Sequence, residues 1–115
     1  MSSYANVRPS PRPVAAYLRL CPADPELMLT CRSDLARLAE RHGLPRPTFF
    51  EDDDHLGRDE KPALSGLLHL ISAGIFRTLL VPGSFVFADA GREARAVVEE
   101  IRAAGCVILE LSATE

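Results

Sequence analysis

The chain reads as an α/β protein: a three-layer sandwich around a mostly parallel central sheet. Three observations predict it. Strand and helix signals alternate along the chain in the order β-α-β-α-β-α-β. Two strand segments, 78–81 and 106–109, are almost continuously apolar, as strands covered on both faces are. Glycine or proline punctuates the element ends throughout.

Residues 1–13 (MSSYANVRPSPRP) form a predicted flexible tail. Pro9, Pro11 and Pro13 oppose regular helix, and little apolar surface is available to order the segment. Arg8 and Arg12 are its only charges, so the alternative reading is a basic docking arm. A single domain is expected over 14–112. Val14–Leu20 is the first strand, broken by Pro22 and Pro25. Asp24 is placed to cap the next helix, with Pro25 in its first turn. Met28, Cys31, Leu35, Leu38 and His42 recur at helical spacing, and Gly43 is the stop. Thr48–Glu51 is a short second strand, followed by a polar loop over 51–61. Pro62 opens a second helix with Leu64, Leu67, Leu68 and Ile71 on one face, ending at Gly74. The apolar stretch Leu64–Ile75 reads as a buried helix. Thr78–Val81 is the third strand, stopped by Pro82-Gly83. Asp89 is placed to cap a third helix with Ala94, Val97, Val98, Ile101 and Ala104 inward and Gly105 at its end. Cys106–Leu109 is the last strand, expected, like 78–81, to be central.

The 115 residues, 47% hydrophobic and 25% charged, suit one soluble globular domain. No window of about 18 apolar residues predicts a membrane span, and the amino terminus has no apolar signal core. Cys21, Cys31 and Cys106 make an odd count without metal-ligand spacing, which fits a reduced, cytoplasmic protein. A net charge of −3 argues against gripping duplex DNA unaided, because phosphate neutralisation supplies most of that affinity. A protein partner or a homo-oligomer is the expected mode of contact. Gly57, Gly66 and Gly74 make no nucleotide fingerprint, so no cofactor is expected.

In a parallel sheet, ligands collect beyond the carboxyl ends of the strands. The loops at 21–25, 51–61 and 82–88 all fall on that edge. The acidic run Glu51-Asp52-Asp53-Asp54-His55 offers oxygen ligands of the kind Mg²⁺ prefers, and carboxylates also gather at phosphoacceptor sites. A receiver-type site would want its aspartate after the third strand and a lysine beyond. Here Pro82-Gly83 ends that strand and Lys61 is the sole lysine. The run is therefore read as a solvated loop, and no metal is expected. His42 and His69 are expected to be partly packed. Cys31 and Cys106 are expected in the core.

Several short motifs together resemble the catalytic domain of serine recombinases, the resolvase/invertase family. Tyr17-Leu18-Arg19-Leu20-Cys21 resembles the family's Tyr-x-Arg-Val-Ser, with cysteine at the nucleophilic serine. Cys31-Arg32-Ser33-Asp34-Leu35 resembles Gln-Arg-x-x-Leu. Phe50-Glu51-Asp52-Asp53 is similar to its strand-ending acidic pair, Gly57 sits at its Ser-Gly turn, and Lys61-Pro62-Ala63-Leu64 resembles Arg-Pro-x-Leu. The likeness spans roughly 14–112 and implies that family's fold. The resemblance implies, were the chain active, catalytic roles for Cys21, Tyr17, Arg19, Asp52 and Lys61.

The chemistry departs from that pattern. Phosphodiester transfer by the family's serine needs several cations around the phosphorus oxygens. Arg19 is present, but Lys61 lacks the bidentate fork of arginine. After the third strand the family shows a basic residue and then Asp-Arg-Leu-x-Arg. Here Phe85 and Val86 occupy the Asp-Arg pair and Asp89 the final arginine. Losing one such contact costs roughly a hundred- to a thousandfold in rate. The chain also stops at Glu115, where the family continues into a long dimerisation and DNA-gripping helix. The expectation is a catalytically inactive domain working by protein contact, modulating recombination or another DNA transaction. The alternatives are an active DNA-processing component using Cys21, and a small-ligand-binding α/β module. Phe85, Val86 and Phe87 replace a charged segment with an apolar one. They either fold inward over the vacated site or form a contact patch.

Overall fold

The computed structural model describes residues 13–20, 25–53, 61–83, 86–88 and 91–111. Seven elements follow one another: β1 (Ala15–Leu20), α1 (Pro25–Arg41), β2 (Thr48–Asp53), α2 (Pro62–Ser72), β3 (Thr78–Val81), α3 (Gly91–Ala103) and β4 (Val107–Glu110). The four strands form one sheet in the order β2-β1-β3-β4, parallel at every pairing. The chain steps from β1 outward to β2, returns past β1 to β3, and continues to β4. Its direction therefore reverses beside β1, which puts the switch-point crevice between the carboxyl ends of β1 and β3.

Strand alternation builds two cores. On one face Val14, Ala16, Leu18 and Leu80 pack with Leu35, Leu38 and Ala39 of α1. On the other, Ala15, Tyr17, Leu79 and Val81 pack with Leu64, Leu67 and Ile71 of α2 and with Ala94, Val98 and Ile101 of α3. Three layers result. β1 is buried along Val14–Leu18, as a strand paired on both sides and covered on both faces must be.

α1 ends in a reverse turn at Gly43, whose φ of +68° favours a residue without Cβ. The Leu44 N–H donates to the Ala39 carbonyl at 2.9 Å and the Gly43 N–H to the Glu40 carbonyl at 3.0 Å, satisfying two carbonyls at the helix end. α3 ends in the same way at Gly105, φ +87°. There the Cys106 N–H donates to the Ile101 carbonyl at 3.2 Å. Cys106 thus closes the helix, and β4 begins one residue later than its apolar run suggests.

Other expectations are corrected. β4 is an edge strand, not a central one: only β3 pairs with it among the described residues, and Val107 is 56% exposed. β1 takes the second central place. β2 runs two residues further, because its ladder with β1 continues through Leu20↔Asp53. α2 is buried on one side only, with Leu70 36% and the following Ile75 47% exposed. Ala104 is exposed in the turn after α3, and His42 and His69 are exposed. Cys106 is buried, but Cys31 only half-buried. No helix among the described residues is long and apolar enough to cross a membrane.

Candidate functional site

The described part of the carboxyl edge is organised around Asp52, a buried carboxylate at the end of β2. Parallel register pairs Tyr17 with Phe50 and Arg19 with Asp52. Tyr17, Arg19, Phe50 and Asp52 therefore share the face covered by α2. The Tyr17 hydroxyl donates to Asp52 Oδ2 at 2.7 Å. The backbone N–H of Ala63 donates to Oδ1 at 2.8 Å, and that of Leu64 to Oδ2 at 2.9 Å.

Asp52 is thus the cap of a helix that has none of its own. Lys61, at the N-cap position of α2, makes no side-chain capping bond, and Pro62 has no N–H to satisfy. A carboxylate arriving from the sheet supplies the missing acceptors, and its negative charge suits the positive end of the helix. The Lys61 carbonyl accepts from the Ser65 N–H at 2.9 Å, which starts the helical ladder.

Tyr17 is held protonated. Its hydroxyl titrates well above the ordinary tyrosine range, first because it is buried, then because Asp52 accepts its proton and repels its anion; Arg19 opposes the shift. The ring of Tyr17 lies parallel to that of Phe87, with centroids 6.1 Å apart and planes 6° apart. Val86, Phe87 and Ala88 are all buried in the core under α2 and α3. Val86 and Phe87 are therefore not surface residues, and neither is placed to form a contact patch. Apolar side chains after β3 find the Tyr17 ring and the β3 face close by, and burial there removes them from water. Phe85 lies outside the described residues.

The sequence-selected residues are brought together in part. Tyr17 and Asp52 are bonded, Arg19 stands beside Asp52 in the sheet, and Lys61 sits one residue before the helix that Asp52 caps. Cys21, Asp54, His55, Gly57, Asp24 and Asp89 lie outside the described residues. Glu51 is engaged on the opposite face of the sheet, in an ion pair with Arg32 of α1. The Arg32 guanidinium also covers the Phe49 ring, 4.6 Å from its centroid. The two contacts tie α1 to β2. Among the described residues no group of three or more His, Cys, Asp or Glu side chains is arranged to hold a metal ion. Burial pushes the Cys106 thiol up to about 11, against the pull of Arg77. The Cys31 thiol is raised as well, by burial and by the Asp34 charge. Neither has the lowered pKa that marks a reactive cysteine.

Sequence reasoning placed Asp52 in a solvated acidic run and missed its capping role. The signal was present in the poor N-cap at Lys61: a helix opening Lys-Pro, with lysine rather than Ser, Thr, Asp or Asn at the cap position, needs an acceptor from elsewhere.

Solved structures share this architecture. The N-terminal catalytic domain of TP901-1 integrase superposes with a TM-score of 0.71 at 21% identity, over 87% of this chain and 77% of that one. The C-terminal catalytic domain of ISC1926 TnpA, an IS607-like serine recombinase, gives 0.72 at 15% identity, over 85% and 66%. A serine recombinase from Sulfolobus solfataricus gives 0.65 at 17% identity, over 87% and 68%. No protein-family model and no curated protein matches the chain. The chain has the fold of serine recombinase catalytic domains.

Proposed function

We propose that this chain is a recombinase-fold domain without strand-cutting chemistry, acting through protein contacts to modulate recombination or another DNA transaction. One observation carries the reading. Between Arg77 and Arg92 the chain has no lysine or arginine, and the described part of the segment following β3 is buried apolar core stacked on Tyr17. Transfer of a phosphoryl group needs cations where the charge develops. This segment brings phenylalanine instead. The bonding of Asp52 supports the same view, since its carboxylate serves the Tyr17 hydroxyl and the start of α2.

Arg19 and Lys61, both at this edge, favour a second reading in which Cys21 retains cutting activity. Incubation of the purified chain with supercoiled plasmid, with denaturing capture of covalent DNA adducts, separates the two. The proposed reading expects unrelaxed plasmid and no adduct. Relaxation with an adduct that disappears in Cys21→Ala refutes it.

A further inference from the structure

β4 has an open side. Among the described residues it pairs with β3 alone, in the parallel register Thr78↔Val107 to Val81↔Glu110. The Val107 N–H donates to the Arg77 carbonyl at 2.9 Å and the Leu111 N–H to the Val81 carbonyl at 3.2 Å. In a parallel ladder alternate residues turn both backbone groups to the same neighbour. Val107, Leu109 and Leu111 therefore bond toward β3, and Ile108 and Glu110 turn their N–H and C=O to the open side.

This edge is not guarded as the opposite one is. β2 follows Pro45 and Pro47 and ends in Glu51, Asp52 and Asp53, and prolines and charges keep foreign strands off an edge. β4 is Val-Ile-Leu-Glu, without Pro, Gly or Lys, and Val107 is exposed. The second observation is a cleft of about 460 Å³ beside the same strand, lined by Asp34, Arg37, Glu40 and Arg41 of α1 and by Leu111. Val107, Leu109 and Leu111 share that face by strand alternation, and Leu109 and Leu111 pack toward α1. The cleft thus has an aliphatic border at the sheet and a charged wall at the helix.

We infer that β4 takes an added strand, an extended segment of a partner protein with apolar side chains at alternate positions. The inference rests on the contact reading above and gives the partner its chemistry. The backbone selects an extended occupant. Ile108 and Glu110 lie two residues apart, about 7 Å along the strand, and each offers one donor and one acceptor. A helix spends its N–H and C=O groups internally, whereas an extended segment repeats the pair at that interval. The sheet border selects the side chains: alternate residues of an added strand project on the α1 face beside Val107 and Leu109, where apolar groups leave water. Arg37 and Arg41 offset Asp34 and Glu40, so the wall sets no net charge on the partner. A second copy fits less well. Its β4, laid antiparallel so that Ile108 and Glu110 pair, sets Val107 against Leu111 and stops there, because Cys106 closes α3. A separate segment runs on past Leu111 along the cleft.

Hydrogen exchange of the full chain, read amide by amide by nuclear magnetic resonance, tests this with the probe peptide acetyl-Ser-Val-Thr-Val-Thr-Val-Ser-amide. In the chain alone the Ile108 and Glu110 amides are expected to exchange faster than those of Leu109 and Leu111. Saturating peptide is expected to slow those two amides by about tenfold. The same peptide N-methylated at every residue keeps the side chains without the donors, and is expected to leave exchange unchanged. Glu110→Pro removes an outward N–H and no bond to β3, and proline is tolerated on the open side of an edge strand. This variant is expected to keep its circular dichroism spectrum and to bind the peptide about tenfold more weakly, while Glu110→Gln binds like the parent. Unchanged exchange at Ile108 and Glu110 with peptide overturns the proposal, as does a Glu110→Pro chain that binds like the parent. Protection of both amides in the chain alone, rising with its concentration, overturns it too and gives the edge to a second copy. Plasmid relaxation is a separate readout, so failure here and failure of the contact reading are told apart.

Discussion

Replacing Asp52 by alanine tests the capping arrangement most directly. The change removes three acceptor contacts, at 2.7, 2.8 and 2.9 Å. The first turn of α2 loses its cap, which costs about 1 kcal/mol by analogy with N-cap deletions. The Tyr17 hydroxyl, on a fully buried side chain, loses its partner at a further ~1–3 kcal/mol. Together these amount to roughly 2–4 kcal/mol, a large share of the ~5–15 kcal/mol that holds a typical domain folded. Urea unfolding monitored by far-ultraviolet circular dichroism reads the loss as a lower midpoint with an unchanged slope. Tyr17→Phe alone is expected to cost only ~1 kcal/mol, because hydroxyl and bond leave together. In that background Asp52→Ala costs less than in the parent, as no hydroxyl is orphaned, and a double-mutant cycle measures the difference. If Asp52→Ala lies within about 0.5 kcal/mol of the parent, as an ordinary surface change would, the carboxylate is not holding helix and tyrosine, and the reasoning fails.

The aromatic seal and the two raised pKa values give further predictions. Phe87→Ala is expected to destabilise by ~3–5 kcal/mol, the cost of emptying a buried aromatic site, lowering the thermal midpoint by more than about 10 °C; a shift below about 3 °C would place Phe87 outside the core. Stability is expected to fall in alkali. Above pH 9 the unfolded chain releases the Cys106 proton while the folded chain holds it to about 11. Above pH 10 Tyr17 behaves likewise, its folded-state pKa being raised from 10.0. In each window the folded state binds more protons, so unfolding becomes easier as pH rises, by up to ~1.4 kcal/mol per unit for each group. Urea midpoints measured across that range should fall less steeply in Tyr17→Phe and in Cys106→Ala than in the parent; equal slopes would contradict the assignment.

Every strand and helix was legible in the sequence, because apolar spacing and the stops at Gly43, Gly74 and Gly105 are local signals. Strand order was not. β4 reads as central because Ile108 packs toward the α2 and α3 face while Leu109 packs toward α1. An edge strand half-covered on both faces is as apolar as a central one, and only the pairing distinguishes them. Asp52 was misjudged for a related reason. In sequence it is one acid among several, and its burial depends on β2 running two residues further and on α2 starting above it. Val86 and Phe87 illustrate a third limit: with no strand or helix period over so short a segment, hydrophobicity alone does not separate inward from outward. What decides it is the Tyr17 ring, 70 positions earlier in the chain.

Tyr17 connects these features. Its hydroxyl holds Asp52, which holds α2, and its ring meets Phe87, which brings the chain after β3 onto the same core. Among the described residues every buried side-chain nitrogen or oxygen has a hydrogen-bond partner. Sites built for chemistry tend to depart from local rules and are stabilised by their surroundings. On this chain the described carboxyl edge follows those rules: its acid caps, its tyrosine is bonded and its phenylalanine is buried. Were that edge a strand-cutting site, the chain would relax supercoiled plasmid in a Cys21-dependent way; the proposed reading expects no relaxation from the parent chain or from Cys21→Ala.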